Sequence, residues 1–184
     1  MALEKKTEET ILQRNGIFHF YKDFTNESCA EAITWIIESN LTPEPSYERL
    51  TLLINSPGGE LDACWALVDA MQGSTLPVDT IGTGCVASCG LITLMAGNYR
   101  TSTPNASFLS HQFSAGAYDK QHELISSINM WKTTNEQIVA HYKRCTGLSL
   151  KTIREKLLPP SDVWLTPQLA KKYHIVDEIR NVSF

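Results

Sequence analysis

Apolar and polar positions along the chain switch repeatedly between a two-residue and a three-to-four-residue period, which predicts alternating strands and helices. Gly16-Ile17-Phe18-His19-Phe20-Tyr21 is aromatic and β-branched, as a first strand would be, and Lys22 to Asn26 turn out of it. A helix follows, capped by Thr25 or Asn26, with Glu27 in its first turn and Ala30, Ile33, Ile36 and Ile37 on one buried face. Ser39-Asn40 and the prolines at 43 and 45 end it. Leu50-Thr51-Leu52-Leu53-Ile54 reads as a strand buried on both faces. It stops at Asn55-Ser56-Pro57-Gly58-Gly59, where two glycines can present bare backbone N–H groups to a ligand. Leu61 to Gln72 sets Cys64, Leu67, Val68 and Met71 on one helical face, with Gly73 as its stop. Val78 to Thr83 is a second buried strand and Phe108-Leu109 a third. From Asp119 to Cys145 runs the longest helical pattern, with Leu124, Ile128, Trp131, Ile138 and Tyr142 along one seam and Gly147 closing it. So narrow a seam fits a partner subunit or the helix's own domain about equally. Leu148 to Leu157 predicts a short helix broken by Pro159-Pro160. Thr166-Pro167 opens a last one, ending near Tyr173 before Ile175-Val176.

Repeated strand, glycine turn and helix define an α/β domain with right-handed crossovers. The 184 residues suit one domain, 16-184, behind a short polar lead-in over 1-15. A net charge of −4 without a basic stripe argues against nucleic acid and anionic membranes as partners. Met1 to Arg14 holds no apolar core segment, so neither a secretory signal nor a membrane anchor is expected, and the cytoplasm is the expected location. The cysteines at 29, 64, 85, 89 and 145 form no C-x-x-C pair, and no histidine stands at zinc-ligand spacing from them. Neither a metal nor a disulfide is expected, and Cys85 and Cys89 read as buried free thiols.

Candidate chemistry centres on Gly84-Cys85-Val86-Ala87-Ser88-Cys89-Gly90-Leu91. Glycines 82, 84 and 90 allow sharp turns and close approach, and Leu91 to Ala96 can propagate a buried helix with Ser88 at its N-terminus. Unpaired N–H groups there favour a developing oxyanion, as a nucleophile needs; a small-residue packing site explains the octapeptide equally well. A serine nucleophile requires a base and a group to orient the base. His111, just past a strand, is better placed than His19, His122, His141 or His174, for which surface or packing roles are expected. Asp162 precedes Trp164, which could shield it from water; Asp62, Asp69 and Asp79 remain alternatives on the residues alone.

Ile54-Asn55-Ser56-Pro57-Gly58-Gly59, Ala87-Ser88-x-Gly90, His111-Gln112, and Asp162 with Leu165-Thr166-Pro167 together resemble the ClpP family, the proteolytic subunits of Clp proteases. The likeness runs in order from about residue 16 to the end. It implies a ClpP/crotonase-like α/β fold with a long protruding handle helix (119-145), a Ser88-His111-Asp162 triad, and an oxyanion hole from the Gly59 and Cys89 amides. It further implies a serine endopeptidase without cofactor or metal, assembled as heptameric rings, usually two stacked with the long helix between them, that cleaves peptides and unfolded proteins fed by an AAA+ unfoldase. The chain departs from the family's pattern at several points. Phe113 stands where the family's His-Gln-Pro has proline, the glycine-rich strand after it shrinks to Ser114-Ala115-Gly116-Ala117, and Pro160-Ser161 replaces a ring-bridging charged pair. The stretch before the first strand is about half the family's length, which implies a changed contact with the unfoldase. A catalytically idle ring subunit supporting an active paralogue is the alternative. A crotonase-like acyl-CoA enzyme would not need the Ser/His/Asp set.

Overall fold

The computed structural model describes residues 10–182; positions 1–9 of the polar lead-in lie outside the described residues. The rest of the lead-in holds a short helix, α1 (Ile11–Arg14), started by a reciprocal Thr10–Gln13 cap.

Seven strands make one sheet: β1 (Ile17–Phe20), β2 (Leu50–Ser56), β3 (Val78–Ala87), β4 (Arg100–Ser102), β5 (Ser107–Ser110), β6 (Val163–Leu165) and β7 (Glu178–Ile179). The main path runs β1-β2-β3-β4-β7, all parallel, and β5 branches from β3 to pair antiparallel with β6. The short strands β4 and β7 carry too few residues for a sequence pattern to announce them. β3 departs most from expectation. The strand expected to stop at Thr83 continues through Gly84 to Ala87 and changes partner, from β4 at Thr80–Gly82 to β5 at Cys85–Ala87. The bend is a bulge: register against β2 jumps between Ile54 and Ser56, and Asn55 Oδ1 accepts the Cys85 N–H at 3.0 Å. Gly84 has φ +55°, and a Cβ there would stand 2.9 Å from Asn55 Oδ1.

Helix α2 (Asn26–Leu41) starts at Thr25, whose hydroxyl accepts the Ser28 N–H at 3.2 Å. Its buried face differs from the expected one. Cys29, Ala32, Trp35 and Ile36 face the core, whereas Ala30 and Ile37 are exposed, because Trp35 stacks on Phe18 of β1 at 5.3 Å and sets the rotation. Helix α3 (Leu61–Gly73) buries Cys64, Leu67, Val68 and Met71 as its spacing predicts. Gly73 is its last helical residue, and the extended Ser74 forms the stop. Helix α4 (Cys89–Met95) is buried throughout.

The long helix α5 (Gln121–Thr146) ends at left-handed Gly147. Its C-terminal half packs Ile138, Val139, His141 and Tyr142 inside, while Ile125, Ile128 and Met130 in the other half stand exposed, so half the helix protrudes as a handle. The expected helix after Leu148 is α6 (Leu150–Thr152) running into a π-helical turn, Ile153–Leu157. Helix α7 (Pro167–Lys172) is capped by Thr166, with Pro167 at its first position. One core cluster joins the sheet to α2, α3, α4 and the base of α5, and fixes the strand ends that carry the site.

Candidate active site

Ser88 sits between the end of β3 and the start of α4 with φ 54° and ψ −117°, a conformation that costs a non-glycine residue about 1–3 kcal/mol. Three contacts hold it there. Its N–H donates to Leu109 O of β5 at 3.0 Å, and its carbonyl accepts the Leu91 and Ile92 amides of α4 at 3.0 and 3.1 Å. Gly58 presses on it from the β2–α3 turn, with φ +102° and no room for a side chain.

The neighbouring Gly59 has φ +146° and lies flat on Phe24, whose carbonyl oxygen a Gly59 Cβ would meet at 2.3 Å. The Phe24 N–H donates to Gly58 O and the Glu60 N–H to Phe24 O, both at 2.8 Å. This bridge engages the peptide groups on either side of Gly59 and turns its own N–H away from Phe24. At the first position of α4 the Cys89 N–H has no helical partner. Neither amide donates to an oxygen or nitrogen acceptor among the described residues.

Ser88, Cys89, Gly59 and His111 line one cavity of about 290 Å³, with Glu60 and Ser114 at its edge and Leu61, Ile92, Phe113, Ile138 and Tyr142 as apolar wall. Tyr142 is fixed by its hydroxyl, 2.8 Å from Ser110 Oγ, and Ser110 in turn donates to Leu157 O at 2.5 Å. Burial pushes the Tyr142 phenol well above its ordinary value, so it stays neutral. Sequence periodicity read Tyr142 and Ile138 only as a packing seam; their place in the wall depends on where α5 crosses α4.

His111 follows directly on β5. Its Nδ1–H donates to Gln112 O at 2.5 Å, which fixes the tautomer whose Nε2 is free to accept a proton. Asp162 immediately precedes β6, and the register Leu109↔Trp164, Ser110↔Val163 sets it opposite His111 at the sheet's end. The carboxylate lies outside the cavity lining, and among the described residues it makes no hydrogen bond with His111. Trp164 is 57% exposed and Asp162 exposed, so the expected shielding from water is absent; an edge-strand tryptophan points outward here. Asp62 opens α3 on the surface, and Asp79 pairs with Arg49 at the other end of β3. The remaining histidines have other surroundings: His141 is buried under α4, and His19 and His122 are exposed. Among the described residues no group of acidic, histidine and cysteine side chains could hold a metal ion.

A parallel α/β sheet that delivers a strained serine to a cavity shared with a histidine is the construction of a serine peptidase. Comparison with known proteins gives the family. A family model for Clp protease matches residues 4–183. The chain is 32% identical over 178 residues to an ATP-dependent Clp protease proteolytic subunit 1 of Chlamydia abortus, covering 94% of this chain and 89% of that protein. It is 29% identical over 184 residues to a proteolytic subunit 2 of Corynebacterium diphtheriae, covering 97% and 88%. A proteolytic subunit 1 of Corynebacterium jeikeium is 30% identical over 159 residues, covering 85% and 80%. The chain belongs to the Clp protease family and is a serine-type peptidase.

Proposed function

We propose that the protein is the proteolytic subunit of an ATP-dependent Clp-type protease, cleaving peptides and unfolded proteins by a Ser88-His111-Asp162 acyl-enzyme mechanism. The observation that carries this reading is the strained Ser88, held by Gly58 and Leu109 on the wall of the cavity that His111 also lines. His111 Nε2 takes the hydroxyl proton as Ser88 Oγ attacks the carbonyl carbon of a peptide bond. The Gly59 and Cys89 amides receive the oxyanion, and the apolar wall accepts the side chain before the scissile bond. His111 then returns the proton to the leaving amine, and water releases the acyl group by the same route in reverse. Asp162, opposite His111 in the strand register, takes over the Nδ1–H from Gln112 O when the imidazole turns, and stabilises the imidazolium that forms.

The exposed handle of α5, with Ile125, Ile128 and Met130, supports assembly into rings, heptameric and stacked in pairs, that enclose the sites. An AAA+ unfoldase feeds such a ring, and the cytoplasm is its setting. No helix among the described residues is long and apolar enough to cross a membrane. Hydrolysis of a short fluorogenic peptide by the purified protein, without ATPase, tests the reading. Turnover abolished by Ser88→Ala with an unchanged thermal melt is expected; an unaffected rate in that variant would overturn the assignment.

A further inference from the structure

The residue after the nucleophile is a cysteine, and its side chain has a use that the peptidase mechanism leaves unassigned. Cys89 lines the Ser88 cavity, and its thiol donates to Gly59 O at 3.3 Å, so sulfur joins the two residues whose amides face the oxyanion. Behind it, Cys64 of α3 is fully buried. The Cys64 thiol lies 3.4 Å from Cys89 O and 3.4 Å from Thr93 Oγ1. Helices α3 and α4 pack directly on each other at this point. All five cysteines are free thiols.

We propose that Cys64 and Cys89 form a peroxide-sensitive dithiol, whose closure into a disulfide reversibly shuts the Ser88 site. The two thiols are unequal, as such a pair requires. The Cys64 thiol beside it lowers the Cys89 pKa, aided by the backbone at Gly59 and Cys89 and by the Ser88 hydroxyl, and together they outweigh burial. The Cys64 thiol is pushed well above its ordinary value by Cys89 and by burial. Cys89 is therefore the attacking sulfur and Cys64 the resolving one.

The oxidant is hydrogen peroxide, small enough for the cavity. Cys89 sulfur, as thiolate, attacks one peroxide oxygen; the S–O bond forms, the O–O bond breaks, and the departing hydroxide takes up the thiol's proton as water. Cys64 sulfur then attacks the Cys89 sulfenic acid. The S–S bond forms, the S–O bond breaks, and hydroxide leaves with the Cys64 proton as a second water. Two thiols lose two electrons and two protons, and peroxide becomes two waters. A disulfide requires its sulfurs about 2.05 Å apart. Cys89 must release Gly59 O and turn toward α3, which moves the first residue of α4 against Ser88.

The closure of the site rests on the peptidase reading, whereas the chemistry of the thiol pair does not. The full-length protein is treated with millimolar hydrogen peroxide, remaining thiols are alkylated in denaturant, and endoproteinase Asp-N cuts before Asp62, Asp69, Asp79 and Asp119. Those cuts separate Cys64 from Cys89, although no lysine or arginine lies between Arg49 and Arg100 for trypsin to use. The expected result is a linkage between fragments 62–68 and 79–118, retained in Cys85→Ala and absent in Cys64→Ala. Peptide hydrolysis falls at least tenfold and returns with dithiothreitol. In Cys64→Ala the loss is not reversed, because an unresolved sulfenic acid goes on to sulfinic acid. Absence of the linkage in the unmodified sequence overturns the proposal without recourse to any variant. Linkage that survives in Cys64→Ala, or that leaves hydrolysis unchanged, also overturns it. A reduced protein without peptidase activity counts against the peptidase reading, and the linkage still decides whether the pair is redox-active.

Discussion

A Cβ on Gly58 would stand 2.6 Å from the Cβ of Ser88, well inside the contact distance of two carbons. The turn after β2 thus fixes Ser88 by occupying the space beside it, and only glycine fits between them. Gly58→Ala is expected to destabilise the protein by about 1–3 kcal/mol through its positive φ and the clash. Peptide hydrolysis should fall on the order of 100-fold, since an ångström of displacement suffices for that. Parallel thermal melts and peptide kinetics check both; full activity with a normal melt would contradict the contact.

The orienting role proposed for Asp162 is separable from the hydrogen bond that His111 makes to Gln112 O. Asp162→Asn keeps the size of the side chain and removes the charge proposed to stabilise the His111 imidazolium. A loss of about 10⁴-fold in kcat is expected if the carboxylate takes over the His111 Nδ1–H during turnover. A loss below about tenfold would mean that the backbone carbonyl alone holds the tautomer. Single-turnover acylation kinetics distinguish these outcomes.

Acid should lower the stability of the fold through the histidine buried between α5 and α4. Buried His141 donates its Nε2–H to Ile92 O at 2.9 Å, and Arg144 donates to its Nδ1 at 3.0 Å. Desolvation, and the Arg144 charge against the opposing Ile92 bond, hold its pKa down at about 4, against 6.5 for the free side chain. Above 6.5 the ring is neutral in both folded and unfolded chains and gives no pH dependence. Between 6.5 and 4 only the unfolded chain takes up the proton, so stability falls as pH falls, by up to about 3 kcal/mol. Thermal melts from pH 7 to pH 4.5, at fixed protein concentration, should show a steeper decline in the natural sequence than in His141→Gln. Equal slopes would remove His141 as the cause.

Arg100 ties the end of the chain to the base of the handle. Its guanidinium grips Asp177 at 2.6 and 3.0 Å and donates to Cys145 O at 2.8 Å. Burial raises the Asp177 carboxyl, but the Arg100 hydrogen bonds more than offset it and leave its pKa lowered. Arg100→Ala, which strands a half-buried carboxylate, should cost roughly 2–4 kcal/mol, and Arg100→Lys should restore only part, having no planar fork. Urea unfolding at neutral pH measures both; an Arg100→Ala curve that overlays the natural one would discount the tie.

The sequence by itself determined what depends on near neighbours. The helix start at Thr25-Asn26, the Thr166-Pro167 start, the stop at Gly147 and the buried face of Cys64, Leu67, Val68 and Met71 are local consequences of residue type and spacing. The candidate residues Ser88, His111, Asp162, Gly59 and Cys89 were legible as motifs, on the resemblance they carry. Only the tertiary structure decided what depends on distant partners. Trp35 against Phe18 rotated the face of α2, and a bulge held by Asn55 carried β3 past its expected end at Thr83. Three-residue β4 and two-residue β7 exist because neighbouring strands supply their hydrogen bonds. The crossing of α5 over α4 put Ile138 and Tyr142 into the cavity wall, and α3 packing on α4 set Cys64 behind Cys89. Sequence period reports which side of an element is apolar; what that side meets is fixed only when the elements pack.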